Sequence, residues 1–188
     1  MAEHVCPWWI GYFLASPLRK LFYKPEQIVA PYLKEGMTVL EVGPGMGFFT
    51  LPIARLVGVQ GRIVCIDVQE RMIKSLTRRA TRAGLSDRII TRLTSEDSLQ
   101  VEDFANRVDF ALLLAVVHEV PNQEKLFLEV HATLKDNSLV LLSEPKGHVT
   151  LDEFDQTLAV AKRVGFDVVS SPEIKRNHNA LLRKKITF

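Results

Sequence analysis

Cysteine is scarce: Cys6 and Cys65 are the only two in 188 residues, too few for a disulfide framework, and Cys65 falls inside an apolar run where a thiol is simply core. Packing must hold the fold, and a reducing cytoplasm is the expected compartment. An excess of charge is also missing. With 24 basic and 22 acidic residues the chain carries +2, so bulk electrostatics announces no nucleic-acid partner. The aromatic stretch from Val5 to Ala15 is far shorter than a bilayer span, and Glu3 and His4 stand where a signal peptide would begin with basic residues. Neither a transmembrane segment nor a cleaved leader is expected. His4 and Cys6 have no matching ligand cluster elsewhere, so no metal site is expected. No internal repeat or low-complexity linker divides the chain. What is present, 47% apolar residues, suffices for residues 1–188 to bury the core of a single domain.

The stretch that organises the chain is Val39-Leu40-Glu41-Val42-Gly43-Pro44-Gly45-Met46-Gly47-Phe48-Phe49-Thr50. A short apolar run ends in an acid, alternates glycine with other residues, and continues into Leu51, Ile53, Ala54, Leu56 and Val57 at helical spacing. That pattern reads as strand, tight turn, helix. Glycines at alternate positions permit conformations a side chain forbids, and let a ligand approach the main chain without meeting a Cβ. A second run, Arg62 to Asp67, ends in a lone carboxylate where a doubly wound sheet holds the ribose hydroxyls of a nucleotide. Together they point to a nucleoside-binding site in an α/β fold. A dinucleotide fingerprint would need G-x-G-x-x-G, but Phe48 fills the position of its last glycine.

With Gly43-x-Gly45-x-Gly47 behind Glu41, the sequence resembles the class I S-adenosylmethionine-dependent methyltransferases. The resemblance covers roughly Pro25 to the C-terminus and looks closest to the small enzymes similar to those of ubiquinone and menaquinone biosynthesis. It implies a doubly wound, Rossmann-like seven-stranded sheet in the order 3-2-1-4-5-7-6, its last strand antiparallel, with helices on both faces. It implies S-adenosylmethionine as cofactor and S-adenosylhomocysteine as product. By the same resemblance Glu41 lies near the donor's amino group, while Gly43, Pro44, Gly45 and Gly47 form the loop around it. Asp67 takes the ribose, Val68 lies beside adenine, Ser95 or Glu96 meets the adenine amino group, and Leu114 lines the cofactor.

Other segments fit that frame. Residues 1–35 form a short helical extension, with one helix after Ser16-Pro17 and another from Pro25 carrying Ile28, Val29 and Tyr32. The extension reads equally as a lid over the methyl-donor pocket, with Trp9 and Tyr12 toward the substrate, or as helices packed on the core. Unpacked, Trp8, Trp9 and Phe13 would instead make a membrane-surface or homodimer contact. Met72, Ile73, Leu76, Ala80 and Ala83 mark a helix whose other face carries Arg71, Lys74, Arg78, Arg79 and Arg82, read as a solvated face rather than a phosphate track. Ile89 to Leu93 and Val108 to Leu114 read as strands, and Asn122 caps a helix with Leu126, Val130 and Leu134 on one face. Asp136-Asn137 reads as a turn, Ser138 to Ser143 as a strand, and Glu144 to His148 as a loop on the binding side. A helix from Leu151 stopped by Gly165, and strands over Asp167 to Ser170 and Ala180 to Ile186, complete the pattern.

The acceptor is less legible. An Asn/Asp-Pro-Pro-aromatic motif, which holds an amino group in adenine and glutamine methyltransferases, does not follow the fourth strand, whereas His118 and Glu119 do. A histidine can take a proton from a hydroxyl acceptor as the methyl departs from sulfur, although in-line positioning alone can supply most of the rate. His118 is thus the candidate catalytic residue, with His118 and Glu119 also candidate substrate contacts. The expected activity is methyl transfer to a small molecule. RNA or protein methylation, a nicotinamide-dependent oxidoreductase, and a non-catalytic binding module remain the alternatives.

Overall fold

The structure, a computed structural model, describes residues 24–186. Trp9, Tyr12 and the helix expected after Ser16 lie outside the described residues. Seven strands, β1 (Thr38–Val42), β2 (Arg62–Asp67), β3 (Ile89–Leu93), β4 (Val108–Leu114), β5 (Leu134–Pro145), β6 (Phe166–Ser170) and β7 (Asn177–Lys184), form a sheet in the order 3-2-1-4-5-7-6. β7 is antiparallel to β5 and β6, so topology and strand direction match the resemblance. The flanking helices are α1 (Pro25–Val29), α2 (Thr50–Leu56), α3 (Glu70–Arg82), α4 (Gln123–Thr133) and α5 (Leu151–Val164). Two compact units divide the chain, one ending at Thr94 and the other starting at Ser95. No helix among the described residues is long and apolar enough to cross a membrane.

In the first unit β1 and β2 pair in parallel from Thr38↔Arg62 to Val42↔Ile66. Val39, Leu40, Ile63 and Val64 are all fully buried, as strands covered on both faces require. α3 buries Met72, Leu76 and Ala80 at four-residue spacing and exposes Arg71, Lys74, Arg78 and Arg82, so one face faces core and the other water. Burial of the Leu76 side chain alone contributes about 2 kcal/mol. The helix expected from Pro25 to Tyr32 is shorter: Pro31 has no N–H to continue it, and the chain tightens into a 3₁₀ turn at Ala30–Tyr32. Pro52 is tolerated in α2 because it falls in the first turn, where backbone donors have no helical partner.

In the second unit Phe110, Ala111, Leu112 and Leu113 of β4 are buried without interruption, and β4 pairs in parallel with β5. Asn122 caps α4 as expected, its side-chain oxygen accepting the Lys125 N–H at 2.9 Å. Leu134, expected on the α4 face, is instead the first residue of β5 and pairs with Val108. The register then jumps to Phe110↔Leu139, so the turn expected at Asp136-Asn137 exists as a bulge inside a strand. Asn137 takes φ 62° there, a left-handed conformation asparagine tolerates better than most residues. The buried Lys184 Nζ donates to the Leu134 carbonyl at 2.7 Å and to Asn106 Oδ1 at 3.2 Å, fixing the start of β5. β5 also runs two residues past Ser143, because β7 begins at Asn177, earlier than expected, and pairs with Glu144 and Pro145. Glu144 is therefore a buried strand residue, not part of an exposed loop.

Candidate functional site

Backbone shape builds the first part of the site. Gly43, Gly45 and Gly47 have φ of 68°, 54° and 84°, so the alternation of glycine seen in the sequence is an alternation of left-handed turns. The Gly43 N–H donates to the Ile66 carbonyl at 2.8 Å, tying the loop to β2, and the Gly47 N–H closes a turn onto the Pro44 carbonyl at 3.0 Å. The glycines differ in what surrounds them. A Cβ on Gly47 would sit 2.5 Å from Leu76 Cδ1, so this glycine lets α3 pack against the loop. A Cβ on Gly45 would meet no described residue within 4 Å, so packing within the described residues does not account for this glycine. Met46, Phe48 and Phe49 anchor the turn from within, the two rings edge to face at 5.5 Å. Arg79, expected on the solvated stripe, turns back and donates from Nη1 to the Met46 carbonyl at 2.5 Å. Burial lowers its pKa from the usual arginine value. Lys74 is bridged to Glu70 at 2.8 Å, so the stripe is less free than its sequence reads.

Two carboxylates accompany the loop. Asp67 ends β2, nearly buried, with Oδ1 accepting the Gln69 N–H at 2.8 Å; Val68 beside it is 38% exposed. Asp67's carbonyl accepts the Thr94 N–H at 3.1 Å, and the buried Thr94 hydroxyl has no hydrogen-bond partner among the described residues. The Glu41 carboxyl is turned into the protein, only 4% exposed. Its Oε2 accepts the Thr50 hydroxyl at 2.6 Å and faces the Cys65 thiol at 3.8 Å. Burial pushes Glu41 from 4.5 up to about 7 against those two hydrogen bonds, which lower it. Burial likewise raises the Cys65 thiol well above its ordinary value, leaving it inert.

The second unit carries a cluster made of side chains. β4 ends at Leu114, half-buried, and Ala115 follows at φ 53°, a conformation a Cβ disfavours. The chain then makes a 3₁₀ turn, Val117–Glu119. Glu144, 1% exposed, holds this turn: Oε1 accepts the Val117 N–H at 2.8 Å, and Oε2 is bonded to His118 Nδ1. The His118 side chain remains 23% exposed, with the His148 ring 5.7 Å away. The hydrogen bond from Glu144 raises the His118 pKa above 6.5, with burial opposing it and Glu144, Glu119 and Glu153 adding attraction. Glu119 is half-buried. Ser95 and Glu96 are exposed in a turn closed by a Ser95↔Ser98 bridge, and Ser98 and the Leu99 N–H are held by Glu129 at 2.6 and 2.8 Å. Among the described residues no group of three or more His, Cys, Asp and Glu side chains could hold a metal ion.

Sequence reasoning missed two of these residues, Arg79 as a loop support and Glu144 as the partner of His118. For Glu144 a signal exists: Leu141-Leu142-Ser143-Glu144 closes an apolar strand with an acid, the same mark that Glu41 carries.

A glycine turn leaving β1, a carboxylate closing β2 and the 3-2-1-4-5-7-6 sheet define a class of protein, the Rossmann-like methyltransferases. Residues 33–181 match the family model described as a methyltransferase domain. The chain belongs to the class I S-adenosylmethionine-dependent methyltransferase family. A crystal structure of an S-adenosylmethionine-dependent methyltransferase from Aquifex aeolicus is similar in fold, with a TM-score of 0.84 and 23% identity over 97% of this chain and 100% of that one. The ubiquinone/menaquinone biosynthesis C-methyltransferase of Hydrogenovibrio crunogenus is 26% identical over 122 residues, 65% of this chain and 47% of that protein. A 23S rRNA (uracil-C5)-methyltransferase of Acinetobacter baumannii is 40% identical over 53 residues, but these make up 28% of this chain and 12% of that protein. The chain spans about half the length of the quinone-pathway relatives it matches.

Proposed function

We propose that this protein is a cytoplasmic enzyme that transfers a methyl group from S-adenosylmethionine to a small organic molecule. The observation that carries the reading is the loop at Gly45, a left-handed backbone that no described side chain fills, tied through the Gly43 N–H to Ile66 next to the carboxylate that ends β2. The residues present fit the donor. It carries no phosphate, so a main-chain cradle without a basic cluster suits it, and the family to which the chain belongs takes this cofactor. Gly43, Pro44, Gly45 and Gly47 would line its amino-acid end, and Asp67 would accept hydrogen bonds from the ribose hydroxyls. Val68 offers an exposed apolar surface to the adenine, and the unpartnered Thr94 hydroxyl is a polar group such a ligand would satisfy. When bound, the donor supplies a methyl already activated on a sulfonium. Glu41, buried under the loop, shapes the turn from beneath through Thr50.

Quinone-pathway relatives cover more of the chain than the RNA-modifying one, which favours a small-molecule acceptor. The test is calorimetric titration with S-adenosylmethionine and S-adenosylhomocysteine. Asp67→Ala is expected to lose roughly 1.5–3 kcal/mol of affinity for both, the worth of a hydrogen bond to a charged group. Failure of the wild-type protein to bind either ligand at millimolar concentration would overturn the reading, and unchanged affinity in Asp67→Ala would remove Asp67 from it.

A further inference from the structure

We propose that Glu41 lets the donor site tell S-adenosylmethionine from S-adenosylhomocysteine by charge: its buried carboxyl releases a proton to solvent when the cationic donor occupies the glycine loop, and keeps it when the neutral product does. This rests on the methyl-transfer reading above and deepens it, because it names the residue that sets the preference of that site for donor over product.

Glu41 is the last residue but one of β1, paired with Cys65 of β2, and the glycine turn begins directly after that strand. Its hydrogen bond to Thr50, the first residue of α2, joins the strand that enters the turn to the helix that leaves it. Thr50 Oγ1 in turn lies 3.6 Å from where a Cβ on Gly47 would be, so the carboxyl reaches the turn through a single side chain. All of these groups belong to the unit that ends at Thr94. Hydrogen-bond accounting then sets the resting state of the carboxyl. A carboxylate offers about four acceptor sites, and one this deeply buried needs several donors or a cation to stay ionised. Glu41 has one hydroxyl and one thiol, both neutral and both on Oε2; among the described residues Oε1 accepts no hydrogen bond.

The charged groups around it agree. Asp67 at the end of β2 opposes a second negative charge, and Arg79 of α3, the cation that reaches the turn, has Nη1 engaged by the Met46 carbonyl at 2.5 Å. Burial, helped by Asp67, thus keeps the proton on Glu41 up to about pH 7 in the unliganded protein. The two ligands differ by one charge. Each carries an ammonium and a carboxylate on its amino-acid end, and the donor adds a sulfonium, so the donor is a monocation and the thioether product is neutral. A positive charge brought to the turn favours the ionised form of Glu41, and by linkage the ionised form favours the cation by the same factor. The proton passes to water and no bond within the ligand changes. Donor affinity therefore rises with pH and levels off above about 7, where Glu41 is ionised before binding, while product affinity changes little.

Calorimetric titration of the full chain with each ligand near pH 6.5, repeated in phosphate and in imidazole buffer, gives the protons exchanged from the difference in heat. Roughly half a proton should leave with S-adenosylmethionine and almost none with S-adenosylhomocysteine, and the ratio of their affinities should grow about tenfold from pH 5.5 to pH 8. An analogue with an amine in place of the sulfonium should behave as the donor does, because charge and not the methyl is sensed. Infrared difference spectra should lose the C=O band of a protonated carboxyl on donor binding. Glu41→Gln should abolish the proton release, the infrared change and the growth of the ratio. No release with the donor, equal release with both ligands, or release from Glu41→Gln equal to wild type overturns the proposal while the methyltransferase reading stands; failure of the wild type to bind either ligand defeats that reading itself. Should Glu41→Gln not fold, Thr50→Val decides. It removes a hydrogen bond that favours the ionised carboxyl, so the pH of greatest proton release must rise, and an unmoved maximum overturns the role of Glu41.

Discussion

Two glutamates close apolar strands in this protein and meet different kinds of partner. Glu41 of β1 is met by a hydroxyl and a thiol, both neutral, and burial carries its carboxyl up to about 7. Glu144 of β5, at least as buried, is met by a main-chain N–H and an imidazole whose pKa is raised by that contact. The same side chain in the same kind of strand thus sits among neutral groups in one region and against an imidazole in the other. Burial alone does not set a carboxylate's role; the partner does. The regions also differ in what holds them. The glycine loop depends on shape, through left-handed turns and the contact of Gly47 with α3, whereas the His118 cluster depends on charge. Substitutions that change shape at constant charge should therefore damage the first region, and those that change charge at constant shape the second.

The largest expected effect comes from Gly47→Ala. The residue sits at φ 84°, and its Cβ would lie 2.5 Å from the fully buried Leu76. A left-handed alanine costs about 1–2 kcal/mol, and forcing a methyl into a filled core roughly 1–3 more. Denaturant unfolding should show the sum, with S-adenosylmethionine affinity falling alongside. Adding Leu76→Ala should relieve the overpacking share only in ligand affinity, since truncating the buried leucine leaves a cavity with its own cost in stability. Gly45→Ala at φ 54° meets no described neighbour within 4 Å, so it should lose affinity with a smaller change in stability. Equal stability losses at the two glycines would break the distinction between packing glycine and ligand-facing glycine.

Next in size is the pH dependence. Glu41 is protonated more readily folded than unfolded, so the folded state binds more protons between pH 4.5 and about 7. Stability is then complete below that window and falls as pH rises through it, by on the order of 3 kcal/mol for a shift from 4.5 to about 7. Glu41→Gln, which keeps the shape and the hydrogen-bonding oxygen, should flatten the curve there and leave the protein more stable than wild type at pH 8. His118 also has a raised pKa, so its contribution is present below 6.5 and is lost as pH rises above it. Unfolding midpoints from pH 4 to pH 9 should resolve two adjacent declines, the lower removed by Glu41→Gln and the upper by His118→Asn. A Glu41→Gln curve parallel to wild type would show that Glu41 does not titrate near neutrality.

The shape-dependent region was largely legible in the sequence, and the charge-dependent one was not. Gly43, Gly45 and Gly47 announce themselves because a backbone at positive φ selects one residue type at fixed spacing. Runs such as Phe110 to Leu113 announce a doubly covered strand for a similar reason, since every position meets core. His118 and Glu144 are 26 residues apart, and no local rule links them; the β4–β5 pairing brings them together. Glu144 was further disguised by the proline and glycine behind it, which read as loop although β7 extends to pair with it. Likewise Leu134 continued the helical period of α4, and only the register jump opposite Val108 shows it turned to strand.

The smallest predicted effect tests whether one charge matters in the region governed by shape. Arg79 and Arg78 are neighbours on a helix, and composition gives no reason to separate them. In the structure Arg78 is exposed while Arg79 is half-buried with Nη1 on the Met46 carbonyl at 2.5 Å. Arg79→Gln should cost about 1 kcal/mol of stability and a few-fold in S-adenosylmethionine affinity, because the carbonyl it holds belongs to the loop; Arg78→Gln should change neither. Arg79→Lys should recover only part, since an ammonium lacks the planar reach of the guanidinium. If instead the helix face served RNA, both substitutions would weaken RNA binding alike and lower its salt dependence by similar amounts. Unequal effects on the donor, without an effect on RNA, would make Arg79 part of the loop's architecture and set it apart from Arg78.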